Sequence, residues 1–135
     1  MFLARFSRPL LARVKEATNI VGFEVVPNAR EVLINLYNDM LRQVQVIPEQ
    51  AKYRQDVEKV ARYRLRVCEE EEDWEKIEKR IGCGQVEELI WQAKDEMTLI
   101  PKMAEWKPWE VPPNHHIEFV EDNSPVPKHV PTHIQ

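Results

Sequence analysis

Glycine and cysteine are scarce, with three glycines and two cysteines in 135 residues. So few glycines leave little material for hairpin turns, and no segment alternates polar and apolar side chains long enough to make a strand. A sheet is therefore not expected. Cys68 and Cys83 cannot supply an all-cysteine iron–sulfur cluster or a four-thiolate zinc site, so both are expected to be reduced and packed as small buried apolar residues. No apolar run approaches the roughly 18 residues that a bilayer-crossing helix needs, and no membrane-spanning segment is expected. There is no glycine-rich phosphate loop, no nucleophile elbow and no Cys–His pair in supporting context. The chain therefore reads as a non-enzyme with no cofactor, no metal and no small-molecule substrate. Its net charge of -4 weakly repels phosphate backbones, and no nucleic-acid partner is expected.

What is present is helical and amphipathic. At this length one core with extensions is expected: a basic N-terminal segment over 1–26, a helical bundle over 27–104 and a Trp/Pro-rich tail over 105–135. The opening "MFLARFSRPLLARVK" holds Arg5, Arg8, Arg13 and Lys15 without an acid, and Phe2, Phe6, Leu10 and Val14 recur every four residues. That pattern suits a mitochondrial targeting helix, and it equally suits a basic amphipathic segment packed on the domain. A targeting signal here is expected to be retained rather than cleaved.

After Gly22, the stretch "PNAREVLINLYNDMLRQVQVIP" reads as a helix with Asn28 as N-cap and Glu31 closing a capping box. Leu33, Leu36, Tyr37, Met40, Leu41, Val44 and Ile47 share one stripe, and Pro48 ends it. From Glu49 to about Cys68 a second stripe carries Tyr53, Val57, Val60, Ala61 and Val67, opposite Lys52, Lys59, Arg62 and Arg66. A short helix follows within "EEEEDWEKIEKRIGCG", with acids first and bases last, matching the helix dipole. Its expected pairs are Glu72 with Lys76 and Glu75 with Lys79, and Trp74, Ile77 and Ile81 are to face inward. Gly82 and Gly84 supply the turn. A last helix from near Gln85 buries Val86, Leu89, Ile90, Ala93, Met97 and Ile100, with Trp91 also assigned to the core and Pro101 expected to kink or interrupt its final turn. The fold class is all-α: a small antiparallel bundle of three long helices plus one short helix.

Beyond Glu105 the chain holds six of its ten prolines and no glycine, so the tail should run extended over other surfaces. Within "AEWKPWEVPP", Pro108 disfavours helix at Lys107 and leaves Trp106 and Trp109 on a stiff corner. The segment Trp106, Lys107, Pro108, Trp109 and Glu110 is the candidate partner-binding site, with rings that either anchor a docking surface or fold back onto the bundle. The other constellations read as solvated surface. Asp56 and Glu58 interrupt the basic face of the second helix, and consecutive acids from Glu69 to Glu72 point in different directions. His115 and His116 are adjacent and diverge, while Pro131 between His129 and His133 excludes the helix that would align them on a metal.

The run "GCGQVEELIWQAKDEMTLIPKMAEWKPWE", Gly82 to Glu110, resembles the signature of the alpha-subcomplex subunit five family of mitochondrial NADH:ubiquinone oxidoreductase, respiratory complex I. The likeness extends upstream through "IPEQAKYR" and "ATNIVGFEVVPNAR", and the tail looks like the plant-type version. Pro101 departs from the family's continuous helix. The resemblance implies a non-catalytic accessory subunit on the matrix side of the inner membrane, peripheral and without a redox centre, packed on other complex I subunits including the 30-kDa-type core subunit. A rival reading is a LYR-type adaptor that captures an acyl carrier protein, which "LINLYNDMLRQV" superficially echoes. Asn38, however, stands where that motif needs an arginine to meet a phosphate.

Overall fold

Pro27 and Asn28 set the first helical boundary, and the helix they start organises everything after it. The computed structural model describes residues 13–125. Its order is α1 (Ala29–Gln43), a 3-10 turn (Val44–Val46), α2 (Lys52–Glu70), α3 (Trp74–Ile81) and α4 (Val86–Trp106), with no strand among the described residues. The all-α expectation of three long helices and one short one holds. Met1 to Ala12 and the tail from Val126, with His129 and His133, lie outside the described residues.

The α1 stripe is buried at Leu33, Tyr37 and Met40 and is continued by buried Val44 in the 3-10 turn and Ile47 after it, while Leu36 and Leu41 stay at its half-buried margins. This one stripe packs on both α2 and α4, which scarcely touch each other. From α2 it receives Val57, Ala61, Val67 and Cys68, and from α4 Leu89, Ile90, Ala93 and Ile100. The geometry corrects two expected core positions. Val60 is 48% exposed because no α4 side chain closes over it, and Trp91 is 56% exposed because α4 turns the neighbouring Leu89, Ile90 and Ala93 toward α1 instead. Trp91 keeps one aromatic partner, Phe23, at 5.4 Å between centroids.

Helix ends depart from the sequence reading in instructive ways. Asn28 occupies the N-cap of α1, but its side chain makes no capping bond. A back-bond of the expected kind appears at α4 instead, where Glu88 accepts from the Gln85 N–H at 2.8 Å. The acid run is a helix break rather than a helix start: α2 continues to Glu70, and Asp73 caps α3 by accepting from the Glu75 N–H at 3.2 Å. Glu72 thus precedes α3 and Glu75 turns to Arg13 at 3.9 Å, so the anticipated pairs with Lys76 and Lys79 give way to Arg80 gripping Glu70 at 2.9 Å and Glu71 at 3.1 Å. Arg30 of α1 donates to the carbonyls of Cys68 at 2.7 Å, Glu71 at 3.0 Å and Glu69 at 3.2 Å, satisfying acceptors that the end of α2 leaves open. Gly82 closes α3 in the left-handed region at φ 68, as the glycine turn required. Cys83, between the two glycines, is exposed, which corrects its expected burial; Cys68 is buried as anticipated.

Residues 13–26 form a strap across the α3–α4 junction. The Lys15 side chain is 8% exposed, and its ammonium binds Glu78 at 2.9 Å and Glu87 at 2.5 Å and lies 4.8 Å from the Trp74 ring centroid. Glu78 also accepts from the Val86 N–H at 3.0 Å, and Glu87 from the Val26 N–H at 3.4 Å. The Trp74 indole donates to the Arg13 carbonyl at 2.8 Å, and Gln85 donates to the Thr18 carbonyl at 2.7 Å. This inverts the amphipathic reading at residues 14 and 15: Val14 points to solvent and Lys15 inward, because two carboxylates wait for it inside.

Lys15→Met should therefore strand the Glu87 carboxylate without its cation and lower unfolding stability by about 3–5 kcal/mol in urea titrations followed by helical circular dichroism. Adding Glu87→Gln should recover part of that loss. The thiols give a second check. Burial pushes the Cys68 thiol up to about 11 from an ordinary 9.0, against the opposing Arg30 guanidinium. The unfolded chain then sheds this proton first, so stability falls as pH rises from about 9 toward 11. At pH 8 a thiol reagent should modify Cys83 promptly and Cys68 only as the chain unfolds.

Candidate docking surface

Pro101 lacks the N–H that would bond back to the Met97 carbonyl, a defect that costs a helix about 3 kcal/mol. The helix nevertheless continues to Trp106, held by buried Ile100 before the proline and by half-buried Met103 and Ala104 after it. The expected interruption does not occur. It ends instead at Pro108, whose ring bars Lys107 from the right-handed helical region. Lys107 adopts the left-handed conformation at φ 47, ψ 55, a strain of about 1 kcal/mol for a residue with a β-carbon. Its N–H still reaches the Met103 carbonyl at 3.0 Å, capping α4.

A tight turn follows directly. The Glu110 N–H donates to the Lys107 carbonyl at 3.0 Å around Pro108 and Trp109, and the Lys107 ammonium lies 4.0 Å from the Glu110 carboxylate. Proline at the second position of such a turn presets its backbone angle, so the corner is stiff before any partner arrives. The two rings then take different places. Trp109 folds back as a half-buried neighbour of the core, while Trp106 is 63% exposed on the last turn of α4. Of the alternatives read from the sequence, folding back onto the bundle describes Trp109 and does not describe Trp106.

The remaining sequence candidates stay on the surface. His115 and His116 are exposed, and among the described residues no group of three or more His, Cys, Asp or Glu is placed to hold a metal. On α2, Arg62 pairs with Glu58 at 3.2 Å, and Lys59 and Arg66 are exposed. Asn38 donates its amide to the Ile34 carbonyl of its own helix at 2.9 Å, so nothing at that position favours the adaptor reading. Sequence reasoning missed the pairing of half-buried Phe23 with exposed Trp91, because Trp91 falls among apolar neighbours whose helical phase had to be known to within one residue.

Residues 22–88 match the family described as the ETC complex I subunit conserved region. A probable mitochondrial NADH dehydrogenase (ubiquinone) 1 alpha subcomplex subunit 5 from Arabidopsis thaliana is 60% identical over 133 residues, covering 98% of this chain and 79% of the relative. The chain belongs to the complex I alpha-subcomplex subunit 5 family. The subunit 5 of Bos taurus is 39% identical over 97 residues, covering 72% of this chain and 84% of the relative. A probable subunit 5 from Caenorhabditis elegans is 36% identical over 96 residues, covering 71% and 64%. The higher identity and longer coverage in Arabidopsis agree with the plant-type ending read from the sequence. The family match ends inside the first turn of α4, whereas the Arabidopsis similarity takes in the Trp106 to Glu110 corner as well.

The division between the two rings is directly measurable in this subunit 5 homologue. Trp109→Ala should cost about 1–2 kcal/mol of unfolding stability, less than the full burial penalty because the ring is half-buried. Trp106→Ala should stay within about 0.5 kcal/mol of the parent in the same urea titrations.

Proposed function

We propose that this chain is a non-catalytic accessory subunit of mitochondrial NADH:ubiquinone oxidoreductase, seated on the matrix-side peripheral arm and stabilising it through protein–protein contacts. Its partners on this reading are other complex I subunits, the 30-kDa-type core subunit among them, and its place is peripheral to the inner membrane. It supports electron transfer from NADH to ubiquinone without carrying a redox centre. Membership of the subunit 5 family supports the complex, and among the described residues no helix is long and apolar enough to cross a membrane.

The observation that carries the docking role is Trp106, a large apolar ring left exposed on a corner whose backbone is already fixed. Covering the open part of such a ring removes about 100–150 Å² of surface and is worth about 3 kcal/mol at ~25 cal/mol per Å². An exposed ion pair contributes about 0.2–1 kcal/mol, so the basic face of α2 is a weaker anchor. Preorganisation adds to the ring's advantage, because the turn through Pro108 spends no ordering entropy on contact.

Native electrophoresis of detergent-solubilised mitochondria, with NADH dehydrogenase stained in the lane and this chain found by mass spectrometry, tests the reading. The chain should comigrate with the active band. Trp106→Ala should lower its occupancy there about tenfold or more, as expected for loss of an interface hot spot of about 2 kcal/mol. The double reversal Lys59→Glu with Arg66→Glu should lower it less. A chain that ran alone, or with a small carrier protein, would overturn the assignment.

A further inference from the structure

The open side of the bundle is the α2–α4 cleft. Because α1 contacts both helices and they scarcely contact each other, a cavity of about 580 Å³ remains between them. Two side-chain bonds cross it: the Tyr53 hydroxyl to Glu96, and the Arg64 guanidinium to the Gln92 carbonyl oxygen at 3.0 Å. Around these ties the walls are apolar, with Val57 and Val60 on α2, Ala93 and Leu99 on α4 and Met40 on α1. Tyr37 also lines it, and its buried hydroxyl lies beside Arg64 without an aligned hydrogen bond. Val60, 48% exposed, marks an apolar lip where a solvated helix face would carry a polar residue.

Charge decides what fits. Asp56, Asp95 and Glu96 line the cleft against the single base Arg64. Asp56 is paired with Lys52 at 2.7 Å and Glu96 takes the Tyr53 hydroxyl, which leaves Asp95 as the carboxylate most available to a cation. An acidic occupant meets like charge at the mouth; a basic one meets complementary charge as its apolar side chain enters. We infer that the α2–α4 cleft receives a segment of a neighbouring subunit that presents a large apolar side chain flanked by lysine or arginine. The segment completes the helix packing that α2 and α4 leave open, in the manner of a helix laid into a groove. Arg13, where the described strap begins, accepts from the Trp74 indole of α3 through its carbonyl, and neither α3 nor residues 13–26 line the cleft. The inference rests on the accessory-subunit reading and names the chemistry of one of its partners.

A photoreactive amino acid at Val60, or at Leu99 in a second variant, tests this in complexes assembled in mitochondria, with the cross-linked peptide identified by mass spectrometry. The expected product joins the chain to another subunit at an apolar residue within two positions of a lysine or arginine. Asp95→Lys should lower its yield about tenfold, a contact effect at a charged rim. Cross-links to an acidic segment, to a second copy or to residues 1–12 of the same chain would overturn the inference, as would comigration with no cross-link at either position. Absence of the unmodified chain from the NADH dehydrogenase band would instead sink the preceding reading and this one with it.

Discussion

One apolar stripe on α1 has to serve two helices. Leu33, Tyr37 and Met40 lie along a single face that buried Val44 and Ile47 continue past the end of the helix, and both α2 and α4 reach the interior by packing on it. A stripe shared this way cannot also bring its two partners together along their length. The α2–α4 cleft, the exposed Val60 and the outward turn of Trp91 all follow from that geometry. A chain of this size buries a smaller share of its surface than a large domain does. An unfilled seam is thus a sizeable fraction of the apolar contact open to it, and its presence suits a protein whose packing is finished by neighbours.

Around this shared stripe, ionic and backbone contacts close the ends that apolar packing leaves open. Lys15, Glu78 and Glu87 tie strap, α3 and α4 at one point, and each carboxylate also accepts a backbone N–H. Such a cluster adds little net stability over well-packed apolar side chains, yet losing one member is costly because the others stay buried and charged. Its effect is to fix how the chain enters the bundle. Arg30 acts similarly where α2 ends, meeting three carbonyls with one guanidinium. Where the helix ends and the strap both need polar partners, long side chains reach in from elements distant in sequence.

That distance explains which parts of the fold could be read in advance. Period-3.6 patterning marked four helices correctly because each stripe is a local property: Leu33 to Ile47 and Val86 to Ile100 announce their faces within a few turns. Gly82 announced its turn by the same local logic. Lys15 did not, since its partners stand 63 and 72 residues away and a basic residue in a basic run looks solvated. Cys83, Glu72 and Trp91 failed for a related reason, each depending on a helix boundary or phase that shifts by one or two residues with tertiary packing. At the Trp106 to Glu110 corner the motif was legible, but not which of its rings the bundle keeps.

The corner itself shows how a proline inside α4 and another just past its end come to opposite results. Pro101 sits among side chains that are buried or half-buried on both sides, so packing holds the helix across a missing hydrogen bond. Pro108 acts one residue beyond the last helical turn, where Trp106 and Lys107 are exposed and no burial opposes the steric clash with the preceding residue. Lys107 therefore swings into the left-handed region and reverses the chain within a single turn. That reversal brings Trp109 back as a half-buried neighbour of the core and leaves Trp106 exposed on the last turn of α4. Because Trp109 packs against the core, the tail cannot leave α4 at this point without exposing that ring. The backbone that carries Trp106 is thus fixed by the helix on one side and by the Pro108 turn on the other, while its ring stays exposed.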